Sequence, residues 1–164
     1  MKSVKLIDTS ILCELLEIPT KSSPAVAKKI KATFARWAKN DVRFILPLAA
    51  VIETGNHIAQ NGDGTVRRER GIALANFVRQ SLQDASPFLK PPFWNKDDLE
   101  SWMSKFPESA MREVGLGDVS ILHDLEVAKA RLKLPSAVPI DIWNRDSHFS
   151  NRETDNERNK PIDS

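Results

Sequence analysis

The stretch Val4-Lys5-Leu6-Ile7-Asp8-Thr9-Ser10-Ile11-Leu12 decides the fold. A short β-branched run stops at an acid and two hydroxyls, and Ile11 through Glu17 then reads as helix, ended near Pro19. The same alternation continues outward. Residues 25–40 place Val26, Ile30, Phe34 and Trp37 at helical spacing. Arg43 to Leu46 is a second short strand, and Pro47 begins a helix through Val51, Ile52 and Ile58. Asn61-Gly62-Asp63-Gly64 breaks the chain. From Thr65 to Asp84 an amphipathic helix turns Ile72, Phe77, Val78 and Leu82 inward. Pro87 to Trp94 is too proline-rich for a helix and too aromatic for a loose linker, so it is expected to lie pinned across the surface. Lys96 to Lys105 reads as a short helix holding Leu99, Trp102 and Met103. Gly115-Leu116-Gly117 leads into a helix from Asp118 to Lys133, and Val138 to Trp143 is a third strand. Strands separated by helices argue for an α/β sandwich around a parallel sheet.

At about 150 residues per domain, 164 residues make one domain, here 1–149. The segment 150–164 has one apolar residue, Ile162, and reads as a disordered tail. A hydrophobic fraction of 41% supports a real core. No apolar run approaches the ~20 residues that cross a bilayer, and Asp8 interrupts the N-terminus before a signal peptide could form. The single cysteine, Cys13, makes neither an internal disulfide nor a thiolate metal cage, and reads as a buried filler. These features point to a cytoplasmic protein with no membrane partner. With 24 Lys and Arg against 22 Asp and Glu, the chain is not a polycation. Its distribution says more, because residues 1–43 hold nine Lys or Arg against four acids, and Arg67-Arg68-Glu69-Arg70 forms a second basic knot. Such patches suit a polyanion, although each is also what a solvated helix face looks like.

Ligands of open α/β sheets bind outside the carboxyl ends of the strands. Four acids fall there: Asp8 after the first strand, Glu53 in the helix after the second, Asp118 at the head of a later helix, and Asp146 three residues past the third strand. Taken singly, Asp8 and Asp118 would be helix N-caps, Glu53 a surface or ion-paired residue, and Asp146 the head of an Asx-turn. Taken together, converging carboxylates repel one another unless a cation sits between them. Oxygen-only ligands select hard ions, Mg²⁺ or Mn²⁺, over zinc, and such ions catalyse attack of water on a phosphodiester.

The motifs Leu6-Ile7-Asp8-Thr9-Ser10-Ile11-Leu12, Leu46-Pro47 leading to Glu53, Gly117-Asp118, and Asn144-Arg145-Asp146-Ser147-His148-Phe149 together resemble PIN-domain nucleases. Within that family the pattern is most similar to the bacterial toxins of VapBC toxin–antitoxin pairs, over residues 3–149. The resemblance implies a three-layer α/β/α domain that cleaves RNA with Mg²⁺ or Mn²⁺, restrained by a protein antitoxin and compatible with a homodimer. It places Asp8, Glu53, Asp118 and Asp146 on the metal, with Thr9, Ser10 and Asn144 orienting those carboxylates. Asn144 stands where the family usually has Thr or Ser, and the 87–113 stretch is longer than in a minimal member. Asp141, inside the third strand, is expected either near the metal or bonded to a neighbouring helix. Arg67, Arg68, Arg70 and Arg145 are the candidate phosphate contacts.

Phosphate-binding glycine loops, the H-E-x-x-H zinc motif and the G-x-S-x-G elbow are absent, and His57, His123 and His148 have no ligand spacing, so each reads as a surface or structural histidine. Two other functions fit the same residues: a non-catalytic module that keeps the fold to hold RNA or protein, and a DNA-directed nuclease with the same chemistry.

Overall fold

The computed structural model describes residues 1–91, 94–132, 135 and 137–145. Strands β1 (Ser3–Ile7), β2 (Val42–Ile45) and β3 (Ile140–Trp143) form a parallel sheet in the order β2-β1-β3. Helices α1 (Thr9–Leu15) and α2 (Pro24–Lys39) lie between the first two strands; α3 (Leu48–Ala59), α4 (Gly64–Leu82), α5 (Lys96–Met111) and α6 (Leu116–Arg131) lie between the last two. The chain is thus an α/β protein. No helix among the described residues is long and apolar enough to cross a membrane.

The central position of β1 explains its composition, since a strand covered on both faces must be apolar throughout. Val4, Leu6 and Ile7 are fully buried. Val4 and Leu6 point to one face, where they meet Leu125 and Ala128 of α6 and Leu132, which caps it. Ile7 points to the other, with Ile11 and Leu12 of α1, Phe34 and Trp37 of α2, and Phe77 of α4. Helices therefore cover both faces. Lys5 is the exception on β1 and has a partner directly opposite in register, Asp141 of β3. Its ammonium lies 2.8 Å from the Asp141 carboxylate and 5.1 Å over the Trp37 ring. This corrects the placement expected for Asp141. It is held by Lys5, three residues back from Asp8 and so about 10 Å along the strands.

The proline-rich segment is pinned as expected, and the backbone does it. Phe44 N–H donates to the Pro87 carbonyl at 2.9 Å, and Leu89 N–H donates to the Phe44 carbonyl at 2.8 Å, so residues 87–89 ride along the outer edge of β2. Phe88 enters the core against Phe77 and Phe34, with ring centroids 5.3 and 6.1 Å away. Several boundaries differ from the sequence reading: α1 spans Thr9–Leu15 instead of Ile11–Glu17, α4 ends at Leu82, and β3 starts at Ile140. α5 runs to Met111 instead of Lys105, because the Asn95–Asp98 capping box fixes its start and Trp102 and Phe106, one turn apart, pack inward. α6 begins two residues early with Gly115 as its cap, which moves Asp118 inside the first turn. The 150–164 tail lies outside the described residues.

The α5–α6 contact holds an acid that the sequence reading did not single out. Asp124 is 1% exposed, and among the described residues neither carboxylate oxygen has a hydrogen-bond partner of normal geometry, the Trp94 indole being the donor acting on it. The Trp94 and Trp102 rings meet edge-on nearby, and His123 bonds Asp98 at 2.8 Å, which makes it a structural histidine as expected. Burial pushes the Asp124 carboxyl up to about 7. A raised carboxyl contributes stability that is fully present below its ordinary value near 3.8 and is lost as pH rises through about 7. Asp124→Asn, which cannot ionise, should therefore raise stability more at pH 8.5 than at pH 5, by up to ~3 kcal/mol, because part of the loss already falls between 3.8 and 5. Urea unfolding of both proteins at the two pH values checks this, and an equal difference at both would refute it.

Candidate metal centre at the carboxyl edge of the sheet

The chain leaves β1 at Asp8, and α1 starts at once. Asp8 stands at the N-cap position but makes no side-chain capping hydrogen bond, and Asp118 does not cap α6 either. Asp8 is 8% exposed and accepts a hydrogen bond from the Ser10 hydroxyl at 2.9 Å. Burial raises its carboxyl above the ordinary value; the Ser10 bond opposes the rise, and the charge of Asp118 adds to it. The charge of Asp118 thus reaches Asp8 across the space between the first turn of α6 and the end of β1.

Glu53 arrives from α3. That helix is held against α1 by fully buried Thr54, whose hydroxyl lies 3.9 Å from the Cys13 thiol. Cys13 is the buried filler expected. One residue earlier, Glu53 accepts the Thr9 hydroxyl at 2.6 Å. Its other oxygen lies against the backbone of Gly117, immediately before Asp118. A Cβ built on Gly117 would fall inside the contact distance of Glu53 Oε1 and 3.1 Å from its Cδ. Glycine is needed here for close approach, so that one carboxylate can seat on the α6 backbone.

Thr9 bonds Glu53, Ser10 bonds Asp8, and Glu53 lies against Gly117, which links the starts of α1 and α6 through α3. Asn144 follows β3 and has a buried side-chain N–H₂ without a hydrogen-bond partner among the described residues. Asp146, the fourth expected acid, lies outside the described residues, as does His148. Among the described residues no three of His, Cys, Asp or Glu stand close enough together to hold one ion. The donor chemistry of Asp8, Glu53 and Asp118 is nonetheless all oxygen, which suits a hard divalent cation rather than zinc.

The basic candidates separate. Arg67 donates to the Asn61 carbonyl at 2.5 Å, and Arg70 reaches the Leu16 carbonyl at 3.1 Å, so both also tie α4 to neighbouring loops. Arg68 is exposed. Arg145, expected as a phosphate contact, carries its guanidinium to Glu14, an acid with no exposed surface. The sequence reading missed Glu14 and Gly117. Glu14 sits in an otherwise apolar stretch, Ile11-Leu12-Cys13-Glu14-Leu15, and an acid among buried neighbours signals a paired charge. No family model matches the chain, and neither a curated protein nor a solved structure matches it.

Proposed function

We propose that the chain is a PIN-type, Mg²⁺- or Mn²⁺-dependent endoribonuclease, the toxin of a toxin–antitoxin pair held in check by a protein antitoxin. The observation that carries this reading is the close approach of Glu53 to the α6 backbone at Gly117, next to Asp118, whose charge also acts on buried Asp8 at the carboxyl edge of the sheet. A pure binder gains nothing from anions beside a phosphate chain, whereas a hydrolase needs them to hold a cation. Asp8, Glu53 and Asp118 would hold the ion directly or through waters, joined by Asp146. The ion, when bound, acidifies a water and offsets charge on the phosphodiester. The protein's own part is orientation: the Ser10 hydroxyl fixes one oxygen of Asp8, the Thr9 hydroxyl fixes one of Glu53, and Gly117 lets Glu53 lie close to Asp118.

Calorimetric titration with Mn²⁺ tests the reading. Wild-type protein should show a site that weakens strongly in Glu53→Gln; a wild type with no site would leave the non-catalytic module in its place. Substrate contact is tested separately. If Arg67, Arg68 and Arg70 each meet a phosphate, their joint replacement by Ala should flatten the log–log salt dependence of RNA binding by roughly two units, at about 0.7 per contact. An unchanged slope would return them to a solvated and loop-tying role.

A further inference from the structure

Glu14 is a buried anion whose two oxygens are both used. Oε2 accepts the backbone N–H of Ser23 at 3.3 Å, and Oε1 takes the guanidinium of Arg145. Arg145 is in turn tied at its backbone. Its N–H donates at 3.0 Å to the Ser10 hydroxyl, the same hydroxyl that donates to Asp8. Two residues earlier, the Trp143 carbonyl accepts the Asp8 N–H at 3.1 Å. The end of β3 is thereby fastened to the start of α1 from both sides, and the Ser10 hydroxyl has its acceptor role filled. A hydroxyl that accepts from a fixed N–H has its single proton left to donate, and here that proton goes to Asp8.

We infer that Arg145, anchored by buried Glu14, is a positioning residue that sets the Ser10–Asp8 hydrogen bond, and so the carboxylate of the candidate metal centre, rather than a contact for phosphate. Several facts support this. A guanidinium already neutralised by a carboxylate attracts phosphate weakly, since its charge is spent locally. The anchor is specific, because Glu14 has no exposure and no room for a solvent counter-charge. The link from Glu14 to Asp8 runs through named donors and acceptors with no gap: Glu14, Arg145 side chain, Arg145 N–H, Ser10 hydroxyl, Asp8. Outer partners of metal ligands of this kind typically govern affinity by tenfold or more.

The inference rests on the nuclease reading for its functional meaning, and the test separates the two. The full chain is prepared as wild type and as Glu14→Leu/Arg145→Met, which removes both charges while keeping bulk, so no lone buried ion is left to unfold it. Glu14→Gln, which keeps the acceptor for Ser23, serves if the double variant does not fold. Amide exchange by NMR and Mn²⁺ titration are then compared. The Arg145 amide should exchange about tenfold faster in the variant, and the Mn²⁺ dissociation constant should rise about tenfold, with melting temperature changed by only a few degrees. Unchanged exchange, or unchanged Mn²⁺ affinity in a variant whose wild type binds Mn²⁺, would overturn the positioning role while leaving the nuclease reading intact. A wild type that binds no Mn²⁺ would overturn the nuclease reading, and this role with it.

Discussion

Asp8→Asn or Asp118→Asn should cut divalent-dependent RNA cleavage by roughly a hundredfold or more while leaving the protein folded. The size follows from the chemistry proposed: an ion that stabilises the transition state by several kcal/mol loses much of that when a carboxylate holding it becomes a neutral amide, and each 1.36 kcal/mol is about tenfold in rate. Shape is kept, so the fold has no reason to suffer. Stability without metal should rise slightly, because burial already opposes ionisation of Asp8 and Asp118 adds repulsion. Assays of wild type and both variants with Mg²⁺, Mn²⁺ or EDTA decide the matter. Cleavage that persists in EDTA, or survives both substitutions, would sink the metal-nuclease reading.

Gly117→Ala is the second change with a large expected effect, and it separates site from scaffold. The new methyl meets the far end of the Glu53 side chain rather than backbone. Glu53 can swing aside, so the melting temperature should move little, and alanine is a better helix residue than glycine by up to about 1 kcal/mol. The carboxylate itself must shift by an ångström or more, breaking its 2.6 Å bond with Thr9. Misplacement on that scale costs on the order of a hundredfold in rate. Kinetics together with a thermal melt check this. Full activity in Gly117→Ala would show that the position of Glu53 does not matter; a large loss of melting temperature would show that the methyl cannot be relieved by the side chain.

The order of strands and helices was legible because β1 is a largely apolar run halted at Asp8, and because α2 carries clear helical spacing; in α4 the expected inward set held only in part, since Phe77 and Val78 pack against the core while Ile72 and Leu82 are exposed. The candidate acids were legible for the same reason: Asp8 and Glu53 follow strands in sequence, and a parallel sheet brings such positions to one edge. What stayed hidden depends on partners distant in the chain. Asp141 looked like a site residue until the parallel register set it opposite Lys5, a pairing that periodicity alone does not reveal. Gly117 read as part of a turn, although its lack of a side chain matters to Glu53, 64 residues away. Arg145 looked like a free cation beside a site, because its partner Glu14 lies 131 residues earlier. Asp124 gave no signal, since nothing in its own helix indicates that α5 will cover it.

The short rail formed by residues 87–89 along β2 bears on how the protein behaves in a crowded solution. An uncovered sheet edge exposes unpaired amides and carbonyls that recruit strands from other molecules, the first step of aggregation. Here Phe44 spends both of its outward backbone groups on Pro87 and Leu89. On the far side of that rail, the outward N–H groups of Phe88 and Lys90 are already given to the Ala85 carbonyl and the Asp84 carboxylate. The segment thus ends the sheet on that side, with a chain that can complete one more row of hydrogen bonds but is poorly suited to template the next.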